Sequence, residues 1–125
     1  MEEPEAGARA MKTNRNFALF QKEFKKWQKL FGLTGYKVYF KHEPIAKRFA
    51  EIAIESGAMV ATVRLNSNLP DKDKPFRDIK RDAKHEALHL LIARLENNGK
   101  YRYSTEAEID EAAEELVVKL EDLIL

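Results

Sequence analysis

The run RDAKHEALHLLIARLE, residues 81–96, narrows the possible folds more than any other stretch of the chain. Ala83, Ala87, Leu88, Leu90 and Leu91 recur there at helical spacing. A helix with this much apolar surface must be covered by other elements, so it is expected to be largely buried. Two of the chain's three histidines fall into it, His85 and His89, four residues apart with Glu86 between them.

Residues four apart share one face of a helix, so the two imidazoles can converge on one metal ion while Glu86 points about a quarter turn away. With no cysteine in the chain, thiolate ligands, a disulfide framework and a cysteine nucleophile are excluded. Zinc suits the imidazole and carboxylate donors that remain and keeps one position open for water. Glu86 then has the place of a general base, taking a proton from a water acidified by the metal.

A third protein ligand is needed. The remaining histidine, His42 in FKHEPI, reads more simply as a loop residue at a strand end. The richer source is the C-terminal run TEAEIDEAAEELVVKLEDLIL, in which Ile109, Ala113, Leu116, Leu120 and Leu123 form one apolar stripe. Glu114 lies one turn before a second apolar patch, Val117 and Val118, and is the acid expected to face inward. Glu111 and Glu115 are the alternatives, because an inward carboxylate needs a partner and a metal supplies one. Glu108 pairs with Thr105 as a T-x-x-E capping box at the start of this helix.

The rest of the chain supplies the frame. In RNFALFQKEFKKWQKLF, residues 15–31, Phe17, Phe20, Phe24, Trp27, Leu30 and Phe31 step by three and four, an amphipathic helix that Gly32 ends. A strand is expected at about 36–41, and FAEIAIES and AMVATVRLN, joined at Ser56-Gly57, form an antiparallel pair over 49–66. SNLPDKDKPFRD is a loop in which Asp73 or a neighbour caps a helix starting near Pro75 and running to about Glu96. The order helix, three strands, helix, helix makes an α+β domain with a small three-stranded antiparallel sheet.

At 125 residues the chain fits one domain, assigned to 15–125 after a flexible leader over 1–14. The net charge of +1, from 22 basic and 21 acidic residues, gives no electrostatic basis for binding nucleic acid or an anionic membrane. The basic clusters KEFKKWQK and RDIKRDAK are solvated helix faces, which disfavours a nuclease. The leader lacks the apolar core of a signal peptide and ALHLLIA is too short to cross a bilayer, so a cytoplasmic protein is expected. Balanced charge on one small domain favours a monomer.

The chain resembles the gluzincins, in which His-Glu-x-x-His sits on one helix and a glutamate on a following helix completes the site. More closely, ATVRLN before the motif, KHEALHLLIARLE around it and EELVVKLE after it resemble small phage-encoded metallopeptidases over about residues 17–123. The resemblance implies a minimal zincin-like domain holding one Zn2+ per chain, with His85 and His89 as ligands, Glu86 as catalytic base and Glu114 as third ligand. It implies a peptide or protein substrate and, for a phage-encoded protein, the host-cell cytoplasm. It also implies that Ala58–Asn66 borders the cleft, so that Ala61, Thr62, Val63 and Arg64 align an extended peptide by β-augmentation.

The last helix lacks the N-E-x-x-S-D segment of the larger gluzincins, and no second domain forms the other cleft wall. Tyr101 and Tyr103, in the loop before the last helix, have the chemistry of an oxyanion helper. The leading reading is a zinc-dependent peptidase. The alternative is a catalytically silent zincin-like domain that binds metal and acts through a protein partner, although such a domain has no need of Glu86.

Overall fold

Helix α1, Pro4–Leu30, presents the aromatic stripe of its second half to the rest of the molecule, with Phe20 and Phe24 completely buried. The computed structural model that shows this describes residues 4–101, 103–121 and 123. Each buried phenylalanine contributes about 2–3 kcal/mol through the apolar surface it withdraws from water. The helix ends at Gly32, whose φ of 71° suits a residue without a Cβ. Gly32 N–H donates to Lys29 at 3.1 Å and Leu33 N–H to Gln28 at 2.8 Å, the paired bonds of a Schellman stop.

Strands β1, Lys37–Glu43, β2, Ala50–Glu55, and β3, Val60–Asn66, form one sheet in the order β1-β3-β2. The hairpin between β2 and β3 is antiparallel, as the Ser56-Gly57 signal predicts. The expectation of a wholly antiparallel sheet is corrected by β1, which pairs parallel to β3 in the register Lys37↔Val60 to Glu43↔Asn66. The mixed sheet arises because the short connection from β1 to β2 passes over the end of β3 instead of turning back beside it. Consecutive strands with a short link usually form a hairpin. Here Asn66, at the end of β3 and 1% exposed, makes the crossing possible.

The Asn66 side chain donates to the carbonyls of Ile45 at 2.8 Å and Arg48 at 2.7 Å, and accepts from the backbone N–H groups of Ile45 at 3.2 Å and Asn68 at 2.9 Å. All four hydrogen-bonding positions of the amide are used, which compensates its burial. Arg77 adds bonds to the carbonyls of Asn66 at 2.9 Å and Phe49 at 3.3 Å. The β1–β2 connection is thereby fixed across the sheet end.

Alternation along β3 places Ala61, Val63 and Leu65 in the core, all fully buried, and turns Arg64 to the other face, between Glu43 and Glu51. A short 3-10 turn at Lys74–Phe76 precedes helix α2, Ile79–Lys100, which starts later and runs further than expected. Its apolar side packs on α1 and the sheet through Ala83, Ala87, Leu90 and Leu91. Helix α3, Glu106–Glu121, opens with the anticipated capping box, Glu108 N–H to Thr105 Oγ1 at 3.1 Å and Thr105 N–H to Glu108 Oε1 at 3.3 Å. The architecture is α+β, three helices and a three-stranded mixed sheet. No described helix is long and apolar enough to cross a membrane.

Candidate functional site

The Asp78 carboxylate caps α2 by accepting from the Arg81 backbone N–H at 3.1 Å. Helical geometry then carries the core residues to one side of α2 and brings His85 and His89 to the solvent-exposed side. Their Nε2 atoms lie 3.2 Å apart, with the rings inclined at 73°. Two nitrogens at zinc-bond length on adjacent corners of a tetrahedron are about 3.3 Å apart. The two rings are within hydrogen-bond distance of each other, and the same spacing suits two ligands of a single ion.

Glu86, about 100° further round α2, turns inward and is 5% exposed. Burial pushes its carboxyl up to about 7, the nearby Asp82 and Glu51 charges add to the rise, and the Arg48 guanidinium opposes it. A buried acid with this value at neutral pH can both accept and release a proton. A cavity of about 370 Å³ lies along this side of α2 and is bordered by Asp82, His85, Glu86 and His89. Arg48, Phe49 and Ala50, from the β1–β2 connection and the start of β2, face them. A second cavity of about 310 Å³ shares Arg48, Glu86 and His89 and continues between Ile52 and Ile54 of β2 and Ala93 and Asn97 of α2.

The carboxylates expected on α3 are elsewhere. Arg94 holds Glu111 at 2.9 Å and also pairs with Glu115, and Lys119 donates to Glu115 at 3.0 Å. The hydrogen bonds from Lys119 and Arg94 hold the Glu115 carboxyl below the usual carboxylate range. Arg94 is nine residues beyond His85 and five beyond His89, which places it about 180° and 140° around α2 from them. Glu114 is exposed, on the side of α3 opposite the buried Ala112, and its neighbours Val117 and Val118 are exposed at 54% and 48%. The apolar stripe expected to pack does so through Leu116, Leu120 and Leu123, with the buried Ala112 nearby on α3, while the second patch stays exposed. Among the described residues no group of three or more His, Asp or Glu is placed to hold a metal ion.

The remaining expected residues are dispersed. The His42 ring stacks on Phe17 at 4.8 Å, and burial, with the charge of Arg77, lowers its pKa. Tyr101 and Tyr103 are 69% and 84% exposed and border neither cavity. Ala61, Thr62, Val63 and Arg64 lie in the central strand, where β1 and β2 take up the main-chain groups on both sides. An extended peptide needs an unpaired edge, and the strand bordering the cavities is β2, paired only with β3 among the described residues.

Two residues beside the motif were not anticipated. Asp82, three before His85 and therefore one turn earlier on a neighbouring face, has its Oδ2 buried without a hydrogen-bond partner. Burial raises its pKa, and the charges of Arg77 and His85 lower it. The helical step from Asp82 to His85 is legible in the sequence. Arg48, by contrast, reaches the site through the strand crossing, which no local pattern encodes.

No family model, no curated protein and no solved structure matches the chain.

Proposed function

We propose that the chain is a zinc-dependent peptidase that cleaves its substrate in the groove between α2 and β2. The observation that carries this reading is the convergence of two imidazole nitrogens, 3.2 Å apart, beside a buried carboxyl with a pKa of about 7. His85 and His89 would hold the ion through Nε2. Zinc, when bound, supplies acidification of a water and polarisation of a carbonyl. Glu86 accepts the proton that the water loses on attack and delivers it to the leaving amine, a double duty for which a value near neutrality is suited. An extended peptide would lie along the open edge of β2, with main-chain hydrogen bonds supplying its alignment. The gluzincin-like reading is supported by the motif and its helix, while the α3 carboxylates stand on another side of α2.

That separation favours a second reading, a metal-binding domain of the same shape that acts through a protein partner without turnover. Substitution of Glu86 distinguishes the two. Glu86→Gln is expected to retain zinc and fold but to lose hydrolysis of a fluorescent peptide library. Wild-type protein that binds stoichiometric zinc and cleaves nothing would favour the silent domain.

A further inference from the structure

We infer that Arg48 is the residue that receives negative charge on the substrate's carbonyl oxygen during hydrolysis. This assignment rests on the peptidase reading above and fills the helper role that Tyr101 and Tyr103 are not placed to take. Arg48 borders both cavities, and so do Glu86 and His89. The Arg48 charge acts on Glu86, and a scissile carbonyl held between that base and the histidines would lie in the space these residues line.

The backbone beneath Arg48 is held firmly. Its carbonyl accepts from the buried Asn66 amide at 2.7 Å, and the next carbonyl, Phe49, accepts from Arg77 at 3.3 Å and from the Asn66 backbone N–H at 2.9 Å. Lys47, just before it, takes a φ of 63°, a left-handed conformation rare for a lysine. The anchored backbone fixes where the exposed Arg48 side chain starts, and its guanidinium brings positive charge and N–H donors to an oxyanion that develops beside it. The Arg48 charge is felt by Glu86, while Arg64 is paired with Glu43 and Glu51, and Arg94 with Glu111 and Glu115. Among the described residues no carboxylate lies within ion-pair distance of Arg48.

In the step assigned to it, the water oxygen bonds to the carbonyl carbon and its proton passes to Glu86. The carbonyl π pair moves onto oxygen, and that oxyanion accepts N–H bonds from Arg48. Collapse re-forms the carbonyl, breaks the carbon–nitrogen bond and returns the Glu86 proton to the amine. Charge and atoms balance without another reactant.

The test uses protein loaded with cobalt(II), whose visible absorption reports ligands at the site, titrated with inorganic phosphate as a tetrahedral oxyanion. Wild type is expected to bind phosphate with a change in the cobalt bands. Arg48→Ala should weaken phosphate at least tenfold while cobalt affinity stays within twofold, and Arg48→Lys, which keeps the charge but not the planar fork, should recover part of the loss. Cobalt binding with phosphate affinity unchanged in Arg48→Ala, or with no phosphate binding by wild type, would overturn the role of Arg48 and leave the metal site standing. Failure of wild type to bind cobalt would overturn the metal reading and this inference together.

Discussion

Arg94 donates to Glu111 at 2.9 Å, tying α3 to the side of α2 that faces away from His85 and His89. Glu111 and Glu115 are thereby held on a side of α2 away from the two histidines.

The first consequence concerns metal affinity. His85→Ala and His89→Ala should each lower zinc affinity at least a hundredfold. Alanine at Glu111, Glu114 or Glu115 should leave it within about threefold, because none of these carboxylates stands at the histidines. Competition titration with a chromophoric chelator measures all five variants. A hundredfold loss at one α3 position would mean that the metal draws α3 away from Arg94.

Asp82 should matter more than the α3 acids. Histidine ligands are commonly oriented by a carboxylate outside the coordination sphere, whose removal costs about 10–100-fold in metal affinity. Asp82 is one turn before His85, whose charge is among those that lower the Asp82 pKa. Asp82→Asn is expected to weaken zinc by about tenfold in the same titration. Unchanged affinity would assign Asp82 to the Arg77 side alone.

The burial of Glu86 predicts a pH dependence for the metal-free protein. Its carboxyl rises from the ordinary 4.5 to about 7 on folding. Between those values the folded chain holds a proton that the unfolded chain has released. The stability this contributes is therefore full below about 4.5 and lost as pH climbs through about 7, a change of about 3 kcal/mol. Glu86→Gln lacks the titration, so urea unfolding at pH 5 and pH 8 should show the variant gaining about that much on wild type at the higher pH. Parallel profiles would show that the carboxyl is not desolvated.

Asn66 is expected to be the costliest polar position outside the site. Asn66→Ala removes four hydrogen bonds and leaves partly buried backbone groups of the β1–β2 connection unpaired, a loss of about 3 kcal/mol. Urea denaturation measures it. The same variant should weaken phosphate binding at Arg48, because the carbonyl of that residue loses its anchor; stability loss with unaltered phosphate affinity would separate the two roles.

Much of the frame was legible in local chemistry. The aromatic spacing of α1, the glycine stop at Gly32, the Ser56-Gly57 hairpin and the Thr105–Glu108 box are interactions among neighbours in sequence, and each appears where those neighbours require it. His85, Glu86 and His89 belong to the same kind, since helical rotation alone sets two side chains outward together and the third inward. The β1–β3 pairing was not legible, because it depends on six connecting residues crossing a strand end, and that depends on a buried asparagine some twenty residues later.

The third-ligand expectation shows the same division. Periodicity names the stripe through which α3 and Leu123 meet the core, since Leu116, Leu120 and Leu123 pack there, but it does not say that the second patch, Val117 and Val118, stays exposed. Packing of Ala112, Leu116 and Leu120 and the grip of Arg94 on Glu111 and Glu115 turn Glu114 outward. Contacts within one helical turn are specified by residue order, because the backbone geometry between them is constant. Which helix face is covered, and which strand keeps a free edge beside the histidines, is settled by competition among distant surfaces for burial, and that competition is resolved only when the chain is folded.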